Sequence, residues 1–121
     1  METAPKKPTN YILIIAPILI AIAIGGSTVS VSIPNGVGSS QGLNYAPASV
    51  TVAKDGKVTW TNNDPVAHTV TATSWPSGAS GFDSGNMNPN ATYTVTFTVD
   101  GTYNYLCSYH YWMHGTVIVT G

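Results

Sequence analysis

Polar and apolar residues alternate along most of the chain after residue 30, and a period of two marks a strand with one buried face. Thr92–Val99 shows it most fully, with Tyr93, Val95, Phe97 and Val99 on one face and four threonines on the other. Lys57–Thr61 turns Val58 and Trp60 inward, and Thr69–Thr73 does so with Val70 and Ala72. Thr102–Leu106 offers Tyr103 and Tyr105, and Thr116–Thr120 offers Val117 and Val119. Val29–Ile33 and Val50–Ala53 complete about seven short strands. Turn signals separate them: Lys54-Asp55-Gly56, Asn62-Asn63-Asp64-Pro65 and Asp100-Gly101. Gly36–Gly42 and Trp75–Asn90 are rich in Gly, Ser, Asn and Pro and predict long loops. The pattern predicts an all-β sandwich or barrel of about 7–8 strands, with Trp60 and Tyr103 in its core. No helical periodicity of useful length and no internal repeat is visible after residue 30.

Before residue 30 the pattern changes. Tyr11–Ile24 is apolar and uncharged, Lys6 and Lys7 precede it, and Gly25-Gly26-Ser27 ends it. A positive flank before an apolar run places the amino terminus inside and the following chain outside. Residues 1–10 therefore read as a cytoplasmic tail, 11–29 as a membrane anchor or signal segment, and 30–121 as an extracytoplasmic domain. The run predicts a hydrophobic helix at the short limit for a span. Ala21-Ile22-Ala23 offers a cleavage signal, and a retained anchor is the preferred reading.

Composition narrows the function. Of 121 residues 43% are hydrophobic and only 7% are charged. The four basic residues are all lysines, two of them in the first seven positions, and the net charge is −1. No basic patch is left to neutralise phosphates, which excludes a nucleic-acid role. The single cysteine, Cys107, rules out an internal disulfide and any centre bridged by two cysteines.

The chemistry-bearing side chains are concentrated. Cys107, His110, Met113 and His114 lie within eight residues, and His68 follows the turn at 62–67. A thiolate, imidazoles and a thioether together suit copper, which alternates between a softer and a harder oxidation state. His68 shares strand parity with Val70 and Ala72, and Cys107 with Tyr103 and Tyr105, so both point into the sandwich. Strands hold such donors rigid between oxidation states, which favours electron transfer. A reactive thiol and a zinc site are the competing readings of the cluster. Met87 reads as loop packing, and Asn90-Ala91-Thr92 matches a glycosylation sequon.

The segment G-T-Y-N-Y-L-C-S-Y-H-Y-W-M-H-G-T-V-I-V at 101–119 resembles the copper-binding carboxyl end of the cupredoxins. V-T-W-T-N-N-D-P-V-A-H-T-V-T at 58–71 resembles the region of their first histidine, and F-D-S-G at 82–85 a loop before their next strand. The Cys-x2-His-x2-Met spacing is similar to that of amicyanin and shorter than that of plastocyanin or pseudoazurin. The resemblance implies a Greek-key sandwich and one type 1 copper, with His68, Cys107 and His110 in a trigonal plane and Met113 as axial ligand. It also implies a one-electron carrier whose redox partner docks around His110, near Tyr109, Tyr111 and Trp112.

Two positions depart from the family pattern. Tyr111 stands where proline usually follows the second histidine, and Thr69 stands where asparagine often follows the first. Thr69 is expected to bond the ligand loop near Ser108 instead. Tyr111 keeps a second reading in view: an open axial position, or one approached by His114, in a copper enzyme acting on a small molecule such as a nitrogen oxide. A copper-delivery role is disfavoured by the absence of Met/His arrays, and a metal-free adhesive module gives no reason for the ligand cluster.

Overall fold

A computed structural model describes Ile22–Ala23 and residues 27–121. The strands are β1 (Ile22–Ala23), β2 (Thr28–Ile33), β3 (Ser49–Ala53), β4 (Lys57–Asn62), β5 (Thr71–Ser74), β6 (Thr92–Thr96), β7 (Gly101–Leu106) and β8 (His114–Thr120). They form two sheets, one ordered β1-β3-β8-β7-β5 and the other β2-β4-β6. The chain changes sheet at every connection from β1 to β7, so β7–β8 is the one hairpin among the described strands. A strand that re-enters a sheet after such a crossing can run parallel to its neighbour. This is the case for β2 with β4 and for β3 with β8.

The alternation read from the sequence sets the inner faces. Val29, Val31 and Ile33 of β2 and Val58 and Trp60 of β4 are buried against Val50, Val52, Tyr103, Tyr105, Val117 and Val119 of the other sheet. Trp60 is fully buried and stands edge-on to Tyr105 at a ring separation of 5.3 Å, and Tyr45 also meets Tyr105 edge-on at 4.7 Å. Gly115 makes this cluster possible, since a Cβ there would lie 2.1 Å from the Tyr105 ring.

Several boundaries differ from the expected ones. β6 ends at Thr96 because the Lys54–Gly56 turn captures the following backbone: Phe97 N–H donates to Gly56 and Asp55 N–H donates to Phe97. β5 begins at Thr71, and His68–Val70 before it bond to 84–87, with His68 and Met87 exchanging both backbone bonds. Residues 82–87 are therefore not free loop but an extended flank of the site. The other expected loop contains a short 3-10 turn at Val37–Ser39.

The expected cytoplasmic tail at 1–10 lies outside the described residues, as does most of the expected hydrophobic helix, at 11–21 and 24–26. Within the segment 11–29, the described residues are extended: Ile22–Ala23 pair with β3, and Thr28 and Val29 open β2. Among the described residues no helix is long and apolar enough to cross a membrane.

Candidate metal centre

Three sequence elements converge at one end of the sandwich. His68 arrives on the 63–70 connection after β4, shaped by the buried side chain of Asn62. The Asn62 amide donates to the carbonyls of Val66 (2.9 Å) and Met87 (3.0 Å), and its oxygen accepts from Asp64 N–H (3.0 Å). Cys107 leaves the end of β7 with its sulfur inward. The loop from there to β8 is closed by Cys107 N–H donating to Met113 O, with His110 N–H donating to Cys107 O and Met113 N–H to His110 O. Asn44 fixes the loop's far end by bonding both the N–H and the carbonyl of His114.

The ligand atoms of His68, Cys107 and His110 all lie within 4.8 Å of one another. Cys107 Sγ stands 3.5 Å from His68 Nδ1 and 3.6 Å from His110 Nδ1. Metal bonds of about 2.3 Å to sulfur and about 2.0 Å to nitrogen, opened to about 110–120°, separate such donors by about 3.5–3.8 Å. The three side chains thus fit around one ion without rearrangement, and their soft and borderline donors fit copper. The sulfur also accepts the Thr69 N–H at 3.4 Å, which ties it to the His68 segment.

Met113 is fully buried, whereas the His114 side chain is exposed and stands outside the cluster. The two are neighbours at the start of β8, where alternate residues face opposite sides. Thr69 does join the ligand loop, its hydroxyl accepting from Ser108 N–H at 2.8 Å, and Thr71 adds a hydroxyl contact to Ser108 at 3.2 Å. His110 is half-buried beside exposed Tyr109 and Tyr111. Trp112 is less exposed than expected: it packs against the core, and its indole N–H donates to Val37 O at 3.2 Å.

A model of the family described as copper binding proteins, plastocyanin/azurin family, matches residues 31–120. The chain belongs to this family. Amicyanin-alpha of Methylorubrum extorquens is 32% identical over 77 residues, a match covering 64% of this chain and 65% of that protein. Amicyanin of Paracoccus denitrificans is 31% identical over 77 residues, covering 64% of this chain and 59% of that one. The chain thus spans less than two thirds of these relatives' length. Among solved structures, a purple cupredoxin from Nitrosopumilus maritimus is similar with a TM-score of 0.66 and 29% identity, over 75% of this chain and 98% of that chain. A reduced, Cu(I) form of an amicyanin variant is similar with a TM-score of 0.63 and 28% identity, over 76% of this chain and 81% of that chain.

One residue of this plastocyanin/azurin-family chain that is locally only a turn former stands beside the centre. Asp64 is buried, and its Oδ2 lies 2.7 Å from His68 Nε2. Burial alone would raise the Asp64 pKa, but bonds from His68 and from the N–H groups of Gly36 and Gly38 hold it below the usual carboxylate range. A carboxylate four residues before a ligand histidine was the available signal. Burial and the neighbouring His68 lower the pKa of His110, with Asp64 opposing that shift in part. His110 is thereby kept suited to metal ligation, which needs the neutral ring.

Proposed function

We propose that the protein is a one-electron carrier built on a single type 1 copper held by His68, Cys107, His110 and Met113. The observation that carries this reading is the pair of Nδ1–Sγ separations of 3.5 and 3.6 Å, set by elements that the core already fixes. Copper, when bound, supplies a couple between Cu(II) and Cu(I). The chain's part is to hold the donors still. Cys107 and Met113 are tied to each other through the backbone, and the Thr69 and Ser108 bonds tie the ligand loop to the His68 segment. A site that moves little on reduction reorganises little, which suits electron transfer. Met113, fully buried at the end of the ligand loop, would supply the fourth donor, which suits a carrier better than an open-site enzyme.

The partner docks over His110, on a surface where Tyr111 is 72% exposed, Tyr109 52% and Val66 45%. Contact made through these apolar side chains supports docking that depends weakly on salt. The apolar run after Lys6 and Lys7 supports a location at a membrane with this domain outside, as anchor or as cleaved signal. Intact-mass measurement of the native protein separates the two.

Redox titration of the copper-loaded protein tests the function: one copper per chain, reversible by one electron, with a visible spectrum unchanged by azide or nitrite. A spectrum that shifts on adding either anion would replace the carrier with the open-site reading.

A further inference from the structure

The Asp64 carboxylate makes three short contacts, and they lead to both histidines. Oδ2 meets His68 Nε2 at 2.7 Å and accepts Gly38 N–H at 2.9 Å, while Oδ1 accepts Gly36 N–H at 2.7 Å. His68 is fully buried with its Nδ1 toward the Cys107 sulfur, so its Nε2 must carry the proton donated to Asp64. The two glycine bonds hold the 36–39 turn against the site. Val37 O within that turn accepts the Trp112 indole N–H, and the Trp112 ring lies 5.2 Å from the His110 ring.

The turn also reaches the outer edge of His110. A Cβ on Gly38 would stand 3.4 Å from His110 Nε2, 2.8 Å from Asp64 Oδ2 and 2.5 Å from Val66. No larger residue fits between the carboxylate and the imidazole edge. Asp64 therefore grips one histidine directly and braces the flank of the other through the Gly36–Ser39 turn.

We propose that Asp64 is the positioning residue of the centre: it fixes His68 as the Nε2–H tautomer, clamps the 36–39 turn beside His110, and by its negative charge favours the oxidised metal. The proposal rests on the copper reading for its last element only, since the tautomer and the clamp belong to the metal-free chain. A fixed carboxylate beside the centre stabilises a dication more than a monocation, so removing its charge favours reduction.

Two variants separate geometry from charge. Asp64→Asn keeps one oxygen, able to accept the His68 and Gly38 bonds, but loses the charge and the acceptor for Gly36 N–H, and Asp64→Ala loses all of these. In metal-free protein, nitrogen-15 NMR of the imidazoles should show His68 wholly as the Nε2–H tautomer in wild type and Asp64→Asn. In Asp64→Ala the tautomers should mix, and the Gly36 and Gly38 amides should exchange faster with solvent. In copper-loaded Asp64→Asn the ratio of reduced to oxidised protein at a fixed ambient potential should rise about tenfold or more, with the visible band retained. An unchanged His68 tautomer and unchanged amide exchange in Asp64→Ala would overturn the positioning role. An unchanged redox ratio in Asp64→Asn would overturn the charge role, and unchanged Gly36 amide exchange in the same variant would overturn the clamp even where Asp64→Ala does not fold. Failure of wild type to bind copper would sink the function reading and leave the NMR result standing.

Discussion

Replacing Asn62 by alanine probes how the fold delivers His68. The side chain is fully buried and makes three bonds, to Val66 O, to Met87 O and from Asp64 N–H. Each such bond contributes about 1 kcal/mol net, and Asn62→Ala removes all three, so the expected loss is about 3 kcal/mol. The Met87 carbonyl keeps its bond from His68 N–H, but the Asp64 N–H is buried and loses the Asn62 oxygen, so the loss should not fall much below that. For a domain of this size each kcal/mol moves the melting temperature by about 4–8 °C, placing the metal-free variant about 12–24 °C below wild type. Thermal unfolding followed by far-ultraviolet circular dichroism reads the shift directly. The same variant should release copper faster, because the Asn62 bonds shape the segment that carries His68. A drop of less than about 4 °C, equal to about 1 kcal/mol or less, would refute the assignment of Asn62 as the organiser of this loop.

Gly115→Ala should destabilise the metal-free protein by about 1–3 kcal/mol in urea unfolding, since the new Cβ enters the Tyr105 ring; a change below about 0.5 kcal/mol would contradict that packing. The metal-free protein should also gain stability as pH rises from about 3 to about 7. Asp64 has a folded pKa below its unfolded one, so its contribution is present above about pH 4 and is lost as pH falls through the folded value. His110 is likewise lowered, so the unfolded chain takes up its proton first and acid disfavours the fold below about pH 6.5. A melting temperature flat across that range would count against both shifts. Met113→Leu should shift the visible spectrum and reduction potential of copper-loaded protein while leaving the stoichiometry at one; no shift would place another group in the axial position.

The strands were readable because their inner faces are chemically uniform: Val58 and Trp60, Tyr103 and Tyr105, and Val117 and Val119 alternate with polar neighbours and are buried as the period requires. His68, Cys107 and His110 were readable through donor chemistry and spacing, and the structure brings them together. Features set by contacts distant in sequence were not readable. The partner of Asp64 four residues away left a faint trace, but its bonds to Gly36 and Gly38 span 28 and 26 positions and left none. Residues 82–87 looked like loop because they pair only through isolated bridges, His68–Met87 and Thr71–Asp83, to the segment that leads into β5 and to its first residue. Trp112 looked like part of an open apolar surface because nothing local shows that Val37, 75 residues earlier, takes its indole proton.

The most direct test of the copper centre is the visible absorption spectrum of wild-type and Cys107→Ser protein, each titrated with Cu(II). The geometry of His68, Cys107 and His110 predicts one copper per chain and an intense thiolate-to-copper band in wild type, with no such band in the variant, whose hydroxyl cannot replace the soft sulfur. The same band in Cys107→Ser, or no band in wild type, would contradict the account.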